Sequence, residues 1–369
     1  MPKPIDSNTD ITTTRTALHE SLPVTGAIMS GTYNELNIKN YTHGQFQSVY
    51  DYPYLSSSAN HIFDLTIGYH SSSPLSASTS EMNAKKINMY TELAQTLLGY
   101  TGSGGVVRQF ENDLSLDLTG TMNSGFVIAL SRQLVKDEIK KGTFSIGVGT
   151  GSFATPFKNA GGGTPPWKSA AGGQAIQYYS DVSASSNGDN TTTSIAGDWG
   201  ILYNTKWPIA SGGFGVIFYQ AGIVFLSSSI FSDPELRCAQ FWHESKFVKG
   251  GVNLIQGVTG AFTGSSLSSS CDALRHRVYN MSFQNTVDIN STIYFCRANH
   301  SDFNYSSNPT YVSSSQIVVK NVASDTPISY ITTVGLYNAA NELLAVAKLS
   351  EPLKKDPNNE LTIRVRLDY

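Results

Sequence analysis

Four residues in this chain have the types that bind zinc. Cys238 and His243 are spaced C-x4-H, and Cys296 and His300 are spaced C-x3-H. A structural zinc site takes four such ligands in a tetrahedron, so two half-sites would together supply one. The two pairs lie far apart in sequence and neither contains a tight C-x2-C knuckle. The expectation is therefore cysteines buried in strands and no metal centre. Gly147-Val-Gly-Thr-Gly151 follows a strand-like run. A dinucleotide site needs G-x-G-x-x-G opening a helix, and a P-loop needs G-K-[ST]; neither is present. G-x-S-x-G and H-E-x-x-H are also missing, and His243-Glu244 lacks its second histidine. Asp137 and Glu138 are adjacent, so they cannot face one another across a substrate as a glycosidase pair does. The chain is expected to be non-enzymatic, with no catalytic residue and no cofactor.

Binding is the remaining chemistry. Trp167, Tyr178 and Tyr179 are exposed-looking aromatics that suit a sugar or a protein partner, although a small hydrophobic core beneath the long loop is the preferred explanation of them. The N-x-[ST] sequons at Asn280, Asn290, Asn299 and Asn304 are what chance provides in a chain this rich in Ser and Thr.

Composition narrows the class. Only 14% of residues are charged, against ~25% in a typical soluble domain. Hydrophobic residues make up 40% and aromatics 11%, enough for a packed core. A free monomer needs surface charge to stay soluble, whereas a chain that hides its surface in neighbours needs less; a secreted, polar β-protein is the competing reading. The formal net charge of -3 gives no basic stripe for nucleic acid. No apolar run reaches the ~18 residues of a membrane span. Met1-Pro-Lys-Pro-Ile-Asp6 lacks the apolar region of a signal peptide, so the chain is expected to stay in the cytoplasm where it is made until assembly or lysis. The three cysteines, Cys238, Cys271 and Cys296, are odd in number and form no disulfide framework.

The elements follow from periodicity. Residues 1–25 are polar and Thr-rich and read as an extended arm. Ile62 to Tyr69 reads as a buried strand. Residues 80–98 carry the best helix, with Ser80 to cap it, Met82, Ile87, Tyr90, Leu93, Ala94, Leu97 and Leu98 near helical spacing, and Gly99 to end it. Phe126–Leu130 and Phe144–Val148 read as short strands. Residues 150–195, with Gly161-Gly-Gly-Thr-Pro-Pro-Trp167, read as a long inserted loop. Gly215–Tyr219 and Ala221–Leu226 are continuously apolar, as strands covered on both faces should be. Val278–Phe283 and Thr292–Cys296 are read as two strands. Ile328–Tyr337 and Leu343–Leu349 form a hairpin about Asn338–Asn341. Leu361–Leu367 is a final strand, with Ile363, Val365 and Leu367 inward and Arg364, Arg366 and Asp368 outward. The expected fold is mainly β with a few helices (α+β), with an antiparallel β-sandwich-like core. The expected divisions are an arm at 1–25, a β-rich domain at 26–150, a Gly/Ser-rich inserted loop at 151–198 and a second β-rich domain at 199–369.

Three blocks carry a resemblance. Asn290-Ser-Thr-Ile-Tyr-Phe-Cys-Arg-Ala-Asn-His300, continuing through Phe303 to Tyr311, resembles a segment of virion structural proteins of tailed cyanophages and related marine myophages. So do Leu134–Phe144 and Ile331–Ser350. The Gly335-Leu-Tyr hairpin is also similar to tail-fibre attachment domains of contractile-tailed phages. The resemblance implies a virion protein of the tail or baseplate and brings no catalytic residues with it. It implies other virion proteins (tail, baseplate or fibre subunits) as partners, a homo-oligomer within the particle, no nucleic acid and no membrane span. A module gripping host-surface glycan through Trp167, Tyr178 and Tyr179 is the second expectation. A head or neck connector or decoration protein is the third.

Overall fold

The computed structural model describes residues 3–25, 34–53, 55–77, 80–101, 104–113, 115–149, 156–157, 176–186, 191–205, 212–231, 258–264, 266–306, 312–313, 316–317, 322, 324 and 326–369. The fold is mainly β, as composition and alternation predict. The strands are β1 (Ile11–Thr25), β2 (Ile38–Asn40), β3 (Gln47–Tyr50), β4 (His61–Tyr69), β5 (Ser124–Leu130), β6 (Glu138–Ile139), β7 (Ser145–Gly149), β8 (Ile176–Ser180), β9 (Thr191–Ser194), β10 (Gly197–Asn204), β11 (Gly215–Phe218), β12 (Ile223–Ser227), β13 (Val278–Ala298), β14 (Val312–Ser313), β15 (Gln316–Ile317), β16 (Ser329–Tyr337), β17 (Leu343–Lys355) and β18 (Leu361–Asp368). The helices of eight or more residues are α1 (Glu81–Leu97) and, further along the chain, Leu267–Arg275.

The chain divides into two compact units, residues 19–287 and residues 1–18 with 288–369. The expected break between 150 and 199 is not a division. Residues 176–180 of the expected loop form β8, which pairs with β7 on one side and β10 on the other and so ties the flanking segments into one sheet. The expected arm is extended, but from Ile11 it is a strand of the chain's own sheet beside β13.

In the larger unit the strand order is β1-β13-β7-β8-β10-β11-β12-β5-β4-β3-β2, and from β13 to β2 every neighbouring pair is antiparallel. The central strands are buried on both faces, which explains their continuous apolar runs. Side chains alternate between two clusters. Phe126, Ile128, Leu130, Ile217, Val224 and Leu226 enter the first, and Val127, Val216, Phe218 and Phe225 enter the second. Each large side chain so buried contributes about 1.5–3 kcal/mol.

Helix α1 covers part of the second cluster. Ser80 Oγ accepts from the Asn83 N–H at 3.3 Å and Gly99 leaves the helix at φ +78°. Asn83, Lys86, Tyr90, Ala94 and Leu97 form its buried stripe. Gly68 in β4 permits the approach, because a Cβ there would lie 2.8 Å from the Tyr90 nitrogen and 2.9 Å from the Lys86 oxygen. Rings lock the cluster, with Phe110 stacked on Phe225 at 4.1 Å and Trp199 stacked on Phe218 at 5.9 Å.

In the smaller unit β18 pairs antiparallel with β13, from Ser291 opposite Asp368 to Ala298 opposite Leu361. Val365 is buried and Arg364, Arg366 and Asp368 are exposed, as the alternation requires. The two strands expected at 278–283 and 292–296 are one continuous strand of 21 residues. Strands β16 and β17 form a separate two-stranded ribbon.

Candidate interaction surface

The titratable groups that the fold buries are used in holding it together. Lys86 lies under α1, and its ammonium donates to the Ala261 and Phe262 oxygens at 3.1 and 2.7 Å, near the end of the short helix Val258–Thr263. Burial lowers its pKa to about 8. Asp181 is fully buried, and burial raises its carboxyl above the ordinary value. It accepts from the Gly142 and Phe144 N–H groups at 2.8 and 2.9 Å and from the Tyr219 hydroxyl at 3.0 Å. Glu111, raised by burial, accepts from the Leu118 N–H at 2.8 Å. A surface recess of about 370 Å3 is lined by Asn112, Thr121, Asn123, Ser124, Ser227 and Ser229 among others, with no acid or base in its wall.

The residues singled out from sequence fall apart in space. Cys238, His243 and Trp167 lie outside the described residues. Cys296 is half-buried on β13 opposite Ile363, with its thiol pushed up by burial and then by the nearby Asp10 carboxylate. His300 is exposed, with Nδ1 3.2 Å from Glu360 Oε1. Among the described residues no three His, Cys, Asp or Glu side chains gather as metal ligands. Tyr178 and Tyr179, adjacent on β8, point to opposite faces. Tyr179 is 1% exposed and meets Phe214 at 5.7 Å, so its ring is core and offers no face to a glycan. Tyr178 is half-buried.

The surface that stands out is the β16–β17 ribbon. Its turn closes itself: Asn338 Oδ1 accepts from the Ala340 and Glu342 N–H groups at 2.9 and 2.8 Å, and Asn341 takes φ +62°. Its base is anchored by Lys355, whose buried ammonium donates to the His300 oxygen, Asn304 Oδ1 and the Asp356 oxygen at 3.2, 2.7 and 2.9 Å. A buried charge needs such partners. Ser329 Oγ adds a bond to the Phe303 oxygen.

One face of the ribbon is apolar and exposed. Gly335 lies opposite Val346 and, past a shift in register, Tyr337 opposite Leu343; both the Tyr337 ring and the Leu343 side chain lie over Gly335, so these residues share one side, while Leu336 lies opposite Ala345. Leu336 is buried, whereas Tyr337, Leu343 and Val346 are about half exposed, at 49%, 52% and 52%. Gly335 explains the Gly-Leu-Tyr order: a Cβ there would sit 3.0 Å from Tyr337 Cε2 and 3.1 Å from Leu343 Cδ1, so the missing side chain leaves the seat for the tyrosine ring. At ~200 Å2 for each large side chain, the face presents on the order of 300 Å2 of apolar surface. A two-stranded ribbon is marginal in water without a third strand or a packed face. The sequence marked this hairpin as a motif; the cross-strand partnership of Tyr337, Leu343 and Val346 required the register.

No helix among the described residues is long and apolar enough to cross a membrane. No family model, curated protein or solved structure matches the chain.

Proposed function

We propose that the chain is a non-enzymatic structural subunit of a tailed-bacteriophage virion, placed in the tail or baseplate, where it joins other subunits or fibres. The observation that carries the reading is the exposed apolar face of the β16–β17 ribbon, anchored at its base and offered to solvent at Tyr337, Leu343 and Val346. The low charge of 14% and the blocks that resemble cyanophage virion proteins support it. Stable interfaces bury ~800 Å2 on each partner, a little over half of it apolar. A face on the order of 300 Å2 apolar, with Lys348 and Thr333 at its rim, supplies most of the apolar area of one such contact. Another virion subunit with an apolar β surface is the partner this requires.

The test is to raise an antibody against the chain and apply it to particles purified through a density gradient. Gold labelling of the tail end is the expected result. Absence from purified particles, with the chain present in the lysate, overturns the virion reading. Labelling of the head or neck replaces the tail assignment by a connector or decoration role.

A further inference from the structure

The outward face of the β2–β3–β4 meander carries rings that neither core cluster uses. Alternation turns Ile38, Val49, Phe63 and Leu65 inward, where all are buried. Lys39, Ser48 and Asp64 lie on the other side, with Lys39 opposite Ser48 and Ser48 opposite Asp64; Ser48 is itself buried, its hydroxyl held between Tyr41 and Asp64. Tyr41 follows β2, Phe46 precedes β3, and Tyr50 ends β3 just past a shift in register; contacts between the side chains bring the three together beside Asp64. His43 joins from the turn that Gly44 makes at φ +64°.

The rings form a group. Tyr41 and His43 stack at 5.0 Å, and Phe46 meets them at 4.7 and 5.0 Å. The Lys39 ammonium lies 4.6 Å from the centre of the Tyr41 ring. Lys85 donates to the His43 oxygen at 3.0 Å. Tyr50 lies beside Tyr41 and meets His61 edge-on at 5.5 Å. His61 Nε2 is 2.8 Å from Asp64 Oδ1, which also accepts from Ser48 Oγ at 2.5 Å. His43 is exposed, and Tyr41, Phe46, Tyr50, His61 and Lys39 are half-exposed.

We propose that this face is a saccharide-binding platform, on which a sugar ring lies with its C–H face against the Tyr41–His43–Phe46 group and its hydroxyls toward Asp64, His61 and Lys39. The outer face of an antiparallel sheet is ordinarily polar, so adjacent rings there need a reason. The rings supply stacking surface, and the fixed carboxylate and ammonium beside them accept from and donate to hydroxyls. Nucleic acid fits poorly: its phosphates would meet the Asp64 carboxylate, and two lysines are not the basic stripe such binders carry. An aliphatic protein surface fits poorly too, because every Leu, Ile and Val of these three strands is buried. The inference does not rest on the virion reading, since the face would bind sugar on a chain of any role.

The test is to apply the full chain to a printed array of bacterial capsular and lipopolysaccharide O-chain saccharides, then to follow the strongest hit by saturation-transfer NMR. The expected result is a hit whose ring C–H protons receive the saturation. Tyr41→Ala and Phe46→Ala each weaken it at least ~10-fold, the loss of one stacked ring. His43→Ala removes an exposed ring without touching the core, so it weakens binding with an unchanged melting temperature and far-UV circular dichroism. No saccharide bound, or binding that survives all three substitutions, overturns the proposal.

Discussion

Asp181 offers the sharpest test of how the larger unit is held together. Its carboxylate receives three donors: the N–H groups of Gly142 and Phe144 and the hydroxyl of Tyr219. It is fully buried, so no solvent replaces them. Asp181→Ala orphans all three. At ~1–3 kcal/mol for each buried unsatisfied group, with some relaxation, the loss is about 3–6 kcal/mol, a large part of a typical total of ~5–15 kcal/mol. Asp181→Asn keeps one acceptor but turns an NH2 toward a donor, for about 1–3 kcal/mol. Burial raises the carboxyl above 3.8, so the folded chain holds its proton to higher pH than the unfolded chain. The stability this proton contributes is full below the unfolded value of 3.8 and is lost as the pH rises through the raised folded value. The gap between the native chain and Asp181→Asn therefore widens on going from neutral pH toward pH 4. Urea titrations followed by circular dichroism at the two pH values measure both effects. An alanine variant within ~1 kcal/mol of the native chain refutes the account, as does a gap that narrows in acid.

Two further outcomes follow from close contacts. Gly68→Ala forces a methyl to within 3 Å of the α1 backbone at Tyr90 and Lys86, so the helix must lift away; a loss of about 1–3 kcal/mol in the same titration is expected. Deleting residues 1–22 strips β1 from β13 and removes Leu22 from the core margin. The melting temperature of the truncated chain should fall by several degrees, the equivalent of ~2–3 kcal/mol, whereas a free arm would leave it unchanged.

What was legible in this sequence was whatever carries its own period or its own cap. Ser80, the α1 stripe, the apolar runs of β11 and β12 and the Arg364/Arg366 alternation of β18 each declare their element within a short window, and the structure places them so. What was hidden depends on partners far away in sequence. Strand β1 lies at the end of the sheet with residues 12–21 exposed on both faces, Arg15 and Glu20 among them, so it shows no apolar alternation and reads as an arm. The middle of β13 reads as a break because Asn285, Ser291 and Thr292 are polar. Those side chains are spent on distant groups: Asn285 Nδ2 donates to the Leu134 oxygen at 2.9 Å, and Ser291 Oγ donates to Asp368 Oδ1 at 2.6 Å. Tyr179 looked exposed because it sits in a stretch rich in Gly and Ser, yet Phe214 supplies its packing from across the sheet. The two surfaces argued here share this cause. Tyr337 near Gly335 is an ordinary strand residue, and Tyr41 and Phe46 ordinary residues flanking β2 and β3, until strand pairing brings each set together at the surface. In a chain with few charges, the signal for a binding surface is then an aromatic residue at an outward position, because hydroxyl side chains already serve to keep such a face wet and rings there add surface that only a partner covers.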